Sequence, residues 1–566
     1  MNALSNRVVN AWLPLQASDG EMRLKSPGLH RPARNTAYFG AAVLSMAGRT
    51  TDETQRRRLA RRGVLAVDHA VAVARRGSPF TVLAVAIAYR NARRELDDYD
   101  FVRSAMRGWG DWLNAQKASD APAEHDCFKN PDCYNNWDLV RALSVIEALK
   151  ARPEGTAEPG SFLADRQATR DWLRGVLNVD IPKAIGPQPK TDWGLGRAGV
   201  LSDPPSNPPA YHQFSAALLS EARAEAPGLF DGNGLDAATR ASHYSKALVA
   251  PNGDVAMTGR SQLQSWTLAA VLLVAAHGVG GKYDATWRAV GDRVLTRLES
   301  FVYRDRTGVF AITPSARTQS LSGIDGYAAP ADYNGLTLML LDLAARAWEP
   351  GGDSGSVPTD RNGSFADLHG SHLVIARKDD VWWQWQTRRK RQDMRFDQGL
   401  IQVQTKINGK WTPLLAARPN SKADLQAGPA LAVNGVYAPF TVTKTEPVPN
   451  GVQLIGQFVP RGASVGVPST ITVNATGEGV EISWPVKAGQ RFAGALPMVG
   501  ARNLNGKLVN SRTRVSFSPK AVLAAGGRAP SASSVATRLQ RWSITAKDDG
   551  VATLRVEARA SNSGQR

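Results

Sequence analysis

Glu349-Pro350-Gly351-Gly352-Asp353-Ser354-Gly355-Ser356-Val357-Pro358 divides the chain. Its glycine, proline and serine content reads as a linker, and the spacing of apolar residues changes across it. Before it, apolar positions recur three and four apart, as in Leu139, Val140, Leu143, Ile146 and Leu149, the signature of one buried helix face. Segments at 36–47, 54–76, 81–95, 99–116, 137–150, 165–178, 210–224, 235–249, 261–277, 284–302 and 334–348 carry this spacing. Gly, Pro, Asn and Asp fill the loops between them. Helices in this number, without intervening strands and paired as hairpins, predict an all-α domain wound into an (α/α) toroid. No close repeat at a fixed period argues for a regular solenoid.

After the linker the period becomes two. Ser371–Arg377, Val381–Arg388, Leu400–Lys406, Thr441–Glu446, Val452–Val459, Val480–Pro485, Arg514–Phe517, Gln540–Ala546 and Val551–Ala558 read as strands. Turns such as Asn408-Gly409, Asn450-Gly451 and Asp549-Gly550 bound them. The organisation expected is therefore a helical toroid over 1–348, a linker over 349–363 and an antiparallel β-sandwich over 364–566, with a cleft where the two meet. In Trp382-Trp383-Gln384-Trp385 successive side chains should face opposite sides of a strand and pack in cores.

A chain of 566 residues is too long for one core, and 43% hydrophobic with 21% charged content is that of a globular protein. The formal charge of +19, from 69 basic against 50 acidic residues, would gather anionic partners. Runs such as Arg56-Arg57-Arg58, Arg61-Arg62 and Arg388-Arg389-Lys390-Arg391 supply part of it. No zinc-finger spacing, RNA-binding signature or basic tail accompanies them, which argues against nucleic acid. No apolar run reaches membrane-spanning length, and a monomer is expected. Cys127 and Cys133 bracket a short turn-rich loop and read as a disulfide clamp formed in an oxidising compartment. No signal peptide is visible at the start, so the chain reads as the mature form of a secreted or periplasmic protein.

Chemistry-bearing residues concentrate at four helix starts and loops. Tyr134-Asn135-Asn136-Trp137-Asp138 follows the cysteine loop, and its amides can cap a helix or face a site. Ser202 to Pro209 is a proline-rich loop that stiffens the start of a helix bearing Tyr211 and His212, two groups able to move protons. Gly259-Arg260-Ser261 places a guanidinium where it can grip a carboxylate. Asp192-Trp193-Gly194-Leu195-Gly196-Arg197 adds an aromatic and a second arginine, in a spacing that fits no phosphate loop. His-Glu-x-x-His is absent. Asn, Tyr, His and Arg together suit β-elimination on a uronate. An amide and a guanidinium stabilise the charge that develops on the carboxylate, a Tyr or His takes the neighbouring proton, and a Tyr protonates the leaving oxygen.

The order of helical and sheet domains, together with these motifs, resembles the polysaccharide lyases that cleave hyaluronate, chondroitin and xanthan. Asn135-Asn136-Trp137-Asp138 is similar to their Asn-Trp-Trp-Asp motif. Asn207-Pro208-Pro209-Ala210-Tyr211 resembles the start of the helix that bears their catalytic Tyr. Gly259-Arg260-Ser261 resembles their Gly-Arg-Ser segment, and His372-Leu373-Val374-Ile375-Ala376-Arg377 the opening of their sandwich. The family's His several residues before its Tyr has no counterpart, since Ser202 and Asp203 stand in that region and the adjacent histidine is His212. The resemblance implies Tyr211 as acid, with the base either Tyr211 itself or His212, which is otherwise its partner. It further implies Asn136 and Arg260 as carboxylate-neutralising groups. Asn135, Trp137, Trp193, Arg197, Asn207 and His372 would line the substrate groove, and no cofactor or metal is called for. Two rivals stand beside it: a toroid glycoside hydrolase using Asp138 and Asp203, and a non-catalytic protein that binds acidic glycans.

Overall fold

Residues 1–24, 32–74, 77–117, 135–201, 209–259, 261–279, 284–302, 309–311, 330–349, 353–388, 398–416, 428–460, 462–528 and 537–559 are described by a computed structural model. The first half is helical: α1 (Asn2–Trp12), α2 (Pro32–Arg49), α3 (Glu53–Val73), α4 (Pro79–Glu95), α5 (Asp100–Asn114), α6 (Asn135–Ala151) and α7 (Arg166–Gly175). It continues with α8 (Ile181–Ala184), α9 (Ala210–Glu225), α10 (Gly232–Ala247), α11 (Ser265–His277), α12 (Ala285–Glu299) and α13 (Pro330–Ala347). Each predicted helical segment falls on a helix, and α1 and α8 are additional. Side-chain caps fix several starts: Asp52, Asp165, Asp231 and Asp284 accept from first-turn amides of α3, α7, α10 and α12.

Six of these helices close a circuit. α2 packs on α4, α4 on α6, α6 on α9, α9 on α11, α11 on α13, and α13 back on α2. They run in one sense, because side chains near their first residues meet one another and so do those near their last. Ser265 of α11 bonds Thr337 of α13, whereas Arg49 at the end of α2 reaches Asp342 of α13. A second set, α3, α5, α10, α12 and α1, packs on the first. The circuit helices are apolar nearly all round: α11, Ser265–His277, buries every residue through Ala276. A helix covered on both sides has to read this way.

The second half is antiparallel sheet. β1 (Lys190–Thr191), β2 (Gly363–Asp367), β3 (Leu373–Lys378), β4 (Val381–Gln386), β5 (Gly399–Ile407) and β6 (Lys410–Pro413) form one sheet in chain order. The other sheet comprises β7 (Ala430–Val433), β8 (Val436–Val448), β9 (Gly451–Phe458), β10 (Val467–Ala475), β11 (Gly479–Val486) and β12 (Arg491–Val499). It also includes β13 (Arg502–Leu504), β14 (Lys507–Val509), β15 (Thr513–Ser518), β16 (Val522–Arg528), β17 (Thr537–Thr545) and β18 (Gly550–Ala558). β8 changes partners midway: Val436–Pro439 pair with β7, and Phe440–Val448 with β9. The sheet thereby folds over itself. Trp484 of β11 meets Phe492 of β12 at 5.8 Å and Trp542 of β17 at 6.0 Å.

Both faces of the six-stranded sheet are covered. Trp383 and Trp385 enter the core shared with the larger sheet. Trp382, Phe365, Leu373 and Ile375 face the helical half and pack with Trp193, Tyr244, Leu248 and Leu263. This accounts for β4 being buried at every position, since a strand covered on both sides loses its polar alternation. Two expectations are corrected here. The helical half supplies a strand, since Lys190 and Thr191 of β1 pair with Ala366 and Phe365 of β2. The glycine-rich stretch is not a free tether over its described part. Gly355 bonds the carbonyl of Ala285 at 2.7 Å, Val357 is buried, and Asp360 takes both bonds of Arg293 at 2.7 and 2.8 Å. Among the described residues no helix is long and apolar enough to cross a membrane.

Candidate active site at the starts of the circuit helices

The first turns of the circuit helices share an aromatic belt. Trp137 of α6 sits edge-on to Phe80 of α4 at 5.3 Å, and Phe80 stacks with Phe214 of α9 at 6.1 Å. Trp266 of α11 meets Phe214 at 5.7 Å, Tyr211 at 5.9 Å and Tyr333 of α13 at 6.1 Å. Arg34 of α2 lies over the Phe80 ring at 4.5 Å and pairs with no carboxylate among the described residues. This is a cation held against an aromatic face, available to an incoming anion.

Two buried amides border the belt. The Asn136 side-chain oxygen, in the first turn of α6, has no hydrogen-bond partner among the described residues, and neither polar atom of the Asn35 side chain has one. Buried amides are ordinarily satisfied, and these open atoms beside an aromatic belt can receive a polar ligand group; buried atoms without a partner among the described residues also occur at the opposite end, as at Asn91 Nδ2. Asn35 stands where two helices come close: a Cβ on Gly335 would lie 2.4 Å from its Oδ1.

The segment leading into α11 is strained. Ala256, Ser261 and Leu263 have φ of 51, 62 and 55°, and Gly259 of 88°. Each non-glycine residue in that region costs roughly 1–3 kcal/mol, which persists where the surroundings over-determine it, often at sites. The Leu263 N–H closes on the Ala256 carbonyl at 2.9 Å, and the Ser261 hydroxyl is buried without a partner among the described residues.

The residues anticipated from sequence divide into three groups. Asn136, Trp137 and Tyr211, which is 5% exposed, come together around the belt. Arg260, Asn207, Asp203, Cys127, Cys133 and the side chain of Asn135 lie outside the described residues. The remaining residues are placed elsewhere. His212 is 0% exposed; its Nδ1 accepts from the Leu201 N–H at 3.0 Å, and Nε2 lies 3.2 Å from Ser245 Oγ. Burial pushes its pKa down to about 3, so it stays neutral. Its ring meets Tyr244 at 4.9 Å, and the Tyr244 hydroxyl donates to Asp367 of β2 at 2.5 Å. The expectation of His212 as base or partner of Tyr211 is thus corrected: it joins helix to sheet, with its lone pair already used. Trp193, expected in the groove, is 1% exposed and stacks on Phe365 at 6.4 Å. Arg197 is exposed and pairs with Asp236 at 2.8 Å. His372 is half-buried with φ of 56°, and its Nδ1 donates to the Leu368 carbonyl at 2.7 Å, which places the ring lone pair on Nε2. Asp138 pairs with Arg141 at 3.5 Å.

Arg34, Asn35, Phe80, Trp266 and Tyr333 went unnoticed in the sequence. Each sits in the first turns of a helix that reads as ordinary core, and only convergence of the six circuit helices gives them a common role. The helix–sheet junction does open into a concavity, of about 820 Å³, lined among others by Leu263, Arg297, Lys410, Trp411 and Arg512.

The chain matches no protein-family profile and no curated protein sequence. Among solved structures it is similar to a mutant of the chondroitin AC lyase of Streptomyces coelicolor A3, at 11% identity and a TM-score of 0.47, over 99% of this chain and 80% of that one. It is similar to a heparan sulfate lyase mutant from Pedobacter heparinus at 10% identity and a TM-score of 0.33, over 100% of this chain and 90% of that one. The unsaturated glucuronyl hydrolase of Bacillus sp. GL1 is similar at 13% identity and a TM-score of 0.35, over 60% of this chain and 96% of that one.

Proposed function

We propose that this protein is a polysaccharide lyase that cleaves an anionic, uronate-containing polysaccharide by β-elimination, with its helices forming an (α/α) toroid and its strands a β-sandwich. One observation carries the reading: a phenol, a buried amide whose oxygen has no partner among the described residues and an arginine that pairs with no described carboxylate converge on one aromatic belt at the starts of the circuit helices. Aromatic faces receive the apolar faces of sugar rings, while a few polar groups orient them. The Asn136 side-chain N–H and the Arg34 guanidinium, with Arg260 proposed beside them, would donate to the uronate carboxylate as charge spreads onto it.

With His212 neutral and buried, Tyr211 carries both proton transfers in this reading, and His372 is the alternative base. The base removes the proton on the carbon next to the carboxylate. That electron pair forms the new carbon–carbon double bond, the bond to the leaving oxygen breaks, and Tyr211 returns a proton to that oxygen. A free Tyr has a pKa of about 10, so its use as a base depends on the positive charge around it. Trp137 would bear on a sugar ring. The enzyme would act as a secreted or periplasmic monomer.

A panel of acidic polysaccharides, read by ultraviolet absorbance and by reducing ends, tests the proposal. A lyase gives both signals, and a hydrolase gives reducing ends alone. Binding with neither signal identifies a non-catalytic glycan-binding protein, a reading favoured by the removal of His212 from the site.

A further inference from the structure

At the other end of the circuit a cavity of about 540 Å³ opens between the last turns of α4 and α6, the first turns of α7 and the turn after α9. Ile146, Leu149, Ala226 and Leu229 give it an apolar floor. Arg93, Lys150, Arg152, Arg166 and Arg170 line the rest, and no carboxylate does among the described residues. Two of the five are occupied: Arg93 donates to the Ala151 and Arg152 carbonyls at 2.9 and 2.6 Å, and Lys150 pairs with Glu225. Arg152, Arg166 and Arg170 are exposed and make no ion pair with any described residue. Arg166 and Arg170 stand one turn apart on α7, on the same face. Arg152 follows α6 with φ of 46°, where its N–H closes on the Ala148 carbonyl at 3.1 Å. A glycine would take that conformation without strain, yet the position carries a guanidinium aimed at the cavity.

We infer that this cavity is a second, non-catalytic site for an acidic saccharide, held by its sulfate or carboxylate groups on Arg152, Arg166 and Arg170 with a sugar face on the apolar floor. The inference deepens the reading of an acidic polysaccharide as substrate, on which it rests. The volume suits a short saccharide, and guanidinium forks match sulfate and carboxylate bidentately. A nucleic-acid backbone calls instead for a stripe of cations tracking successive phosphates, whereas these cations ring one pocket with an apolar floor. A polymer held here and at the aromatic belt would be presented to the reacting site at raised effective concentration.

The test compares the full chain with a variant carrying Arg152→Ser, Arg166→Ser and Arg170→Ser, both in a Tyr211→Phe background so that sugar is not consumed. Each is titrated calorimetrically with tetrasaccharides of chondroitin sulfate and of hyaluronate, and with sodium sulfate as the free anion. The expected result is two sites for the sulfated tetrasaccharide in the parent and one in the variant, at an unchanged melting temperature. With Tyr211 restored, both proteins should form unsaturated ends from a tetrasaccharide at equal rates. Retention of two sites in the variant, or a single site in the parent, overturns the inference. So does sodium sulfate binding as tightly as the saccharide, because the pocket then takes a free ion. Failure of the lyase reading looks different: no unsaturated ends from either protein, with the site count still falling from two to one.

Discussion

The two ends of the helical circuit are built from opposite materials. Where the helices start, the side chains that meet are Trp137, Phe80, Phe214, Trp266, Tyr211 and Tyr333, with the Asn35 amide and the Asn136 oxygen unpartnered among the described residues. Where they finish, charges meet charges. Arg90 lies 2.9 Å from Glu147 and 2.6 Å from Glu225, and His277 lies 2.6 Å from Glu221. Arg346 bonds Asn91, and Arg49 pairs with Asp342 at 2.9 Å. Glu147, Glu221 and Glu225 bring one oxygen each within 4.8 Å of one another, with cations already spread among them. That end too keeps buried polar atoms without a hydrogen-bond partner among the described residues, such as Asn91 Nδ2 and both Glu147 oxygens, but they lie within a cluster of opposite charges. What marks the starts as the receiving end is that their open amides lie against aromatic faces rather than among opposite charges.

The sharpest way to break this contrast is Tyr211→Phe. It keeps the ring against Trp266 and removes the hydroxyl, so turnover should fall by roughly 10² to 10⁴ at an unchanged melting temperature. Normal turnover would move the search to His372 and Asp138. At the opposite end Arg90→Met should do the reverse. Removing one partner of a buried charge cluster costs about 3–5 kcal/mol, read by urea unfolding, while the activity of the folded fraction stays at the parent level. Asn136→Ala should lower kcat by roughly 10² to 10³, the usual loss of one donor to a developing charge, with little change in unfolding. If Asn136→Ala costs stability and leaves kcat alone, the amide is a core group and the two ends are less different than they look.

Much of this was legible before any coordinates, for a physical reason. Helix and strand periods are plainest where an element has one wet face, so α3 or β9 could be read directly, although β10, also half-wet, was passed over. β12, Arg491–Val499, was not read as a strand, since it is buried at nearly every position and carries Gly494 and Pro497, which look like loop punctuation. The site was half legible. Asn136 and Tyr211 follow turn-rich stretches that signal a helix start, and such starts are where the belt forms. His212 was misjudged because adjacent helix residues point about 100° apart. One turns to Trp266, the other to Tyr244 and the sheet, and sequence adjacency says nothing of that.

The smallest effect expected is one of pH, and the two ends contribute to it with opposite signs. Burial raises the Glu147 pKa to about 7, with the Arg90 charge only partly offsetting it. The folded chain therefore holds a proton there that the unfolded chain releases above its ordinary pKa of about 4.3. Between those values the folded state binds more protons, so this group's contribution to stability declines as pH rises toward 7 and is spent above it. His212 acts the other way. Folded, it titrates at about 3; unfolded, at about 6.5, so the unfolded chain binds more protons in that window and stability grows as pH rises through it. Glu147→Gln deletes the first contribution and leaves the second. Its melting temperature should match the parent near pH 4.5 and exceed it by about 1–3 °C at pH 8, because at roughly 2 cal/mol/K per residue a chain of 566 residues moves by about 1 °C per kcal/mol. kcat should be unchanged at both pH values, since Glu147 lies at the end away from Tyr211. A melting-temperature difference that is the same at both pH values would mean that Glu147 is ionised in the folded protein throughout, and that the charged end is held by ion pairs alone.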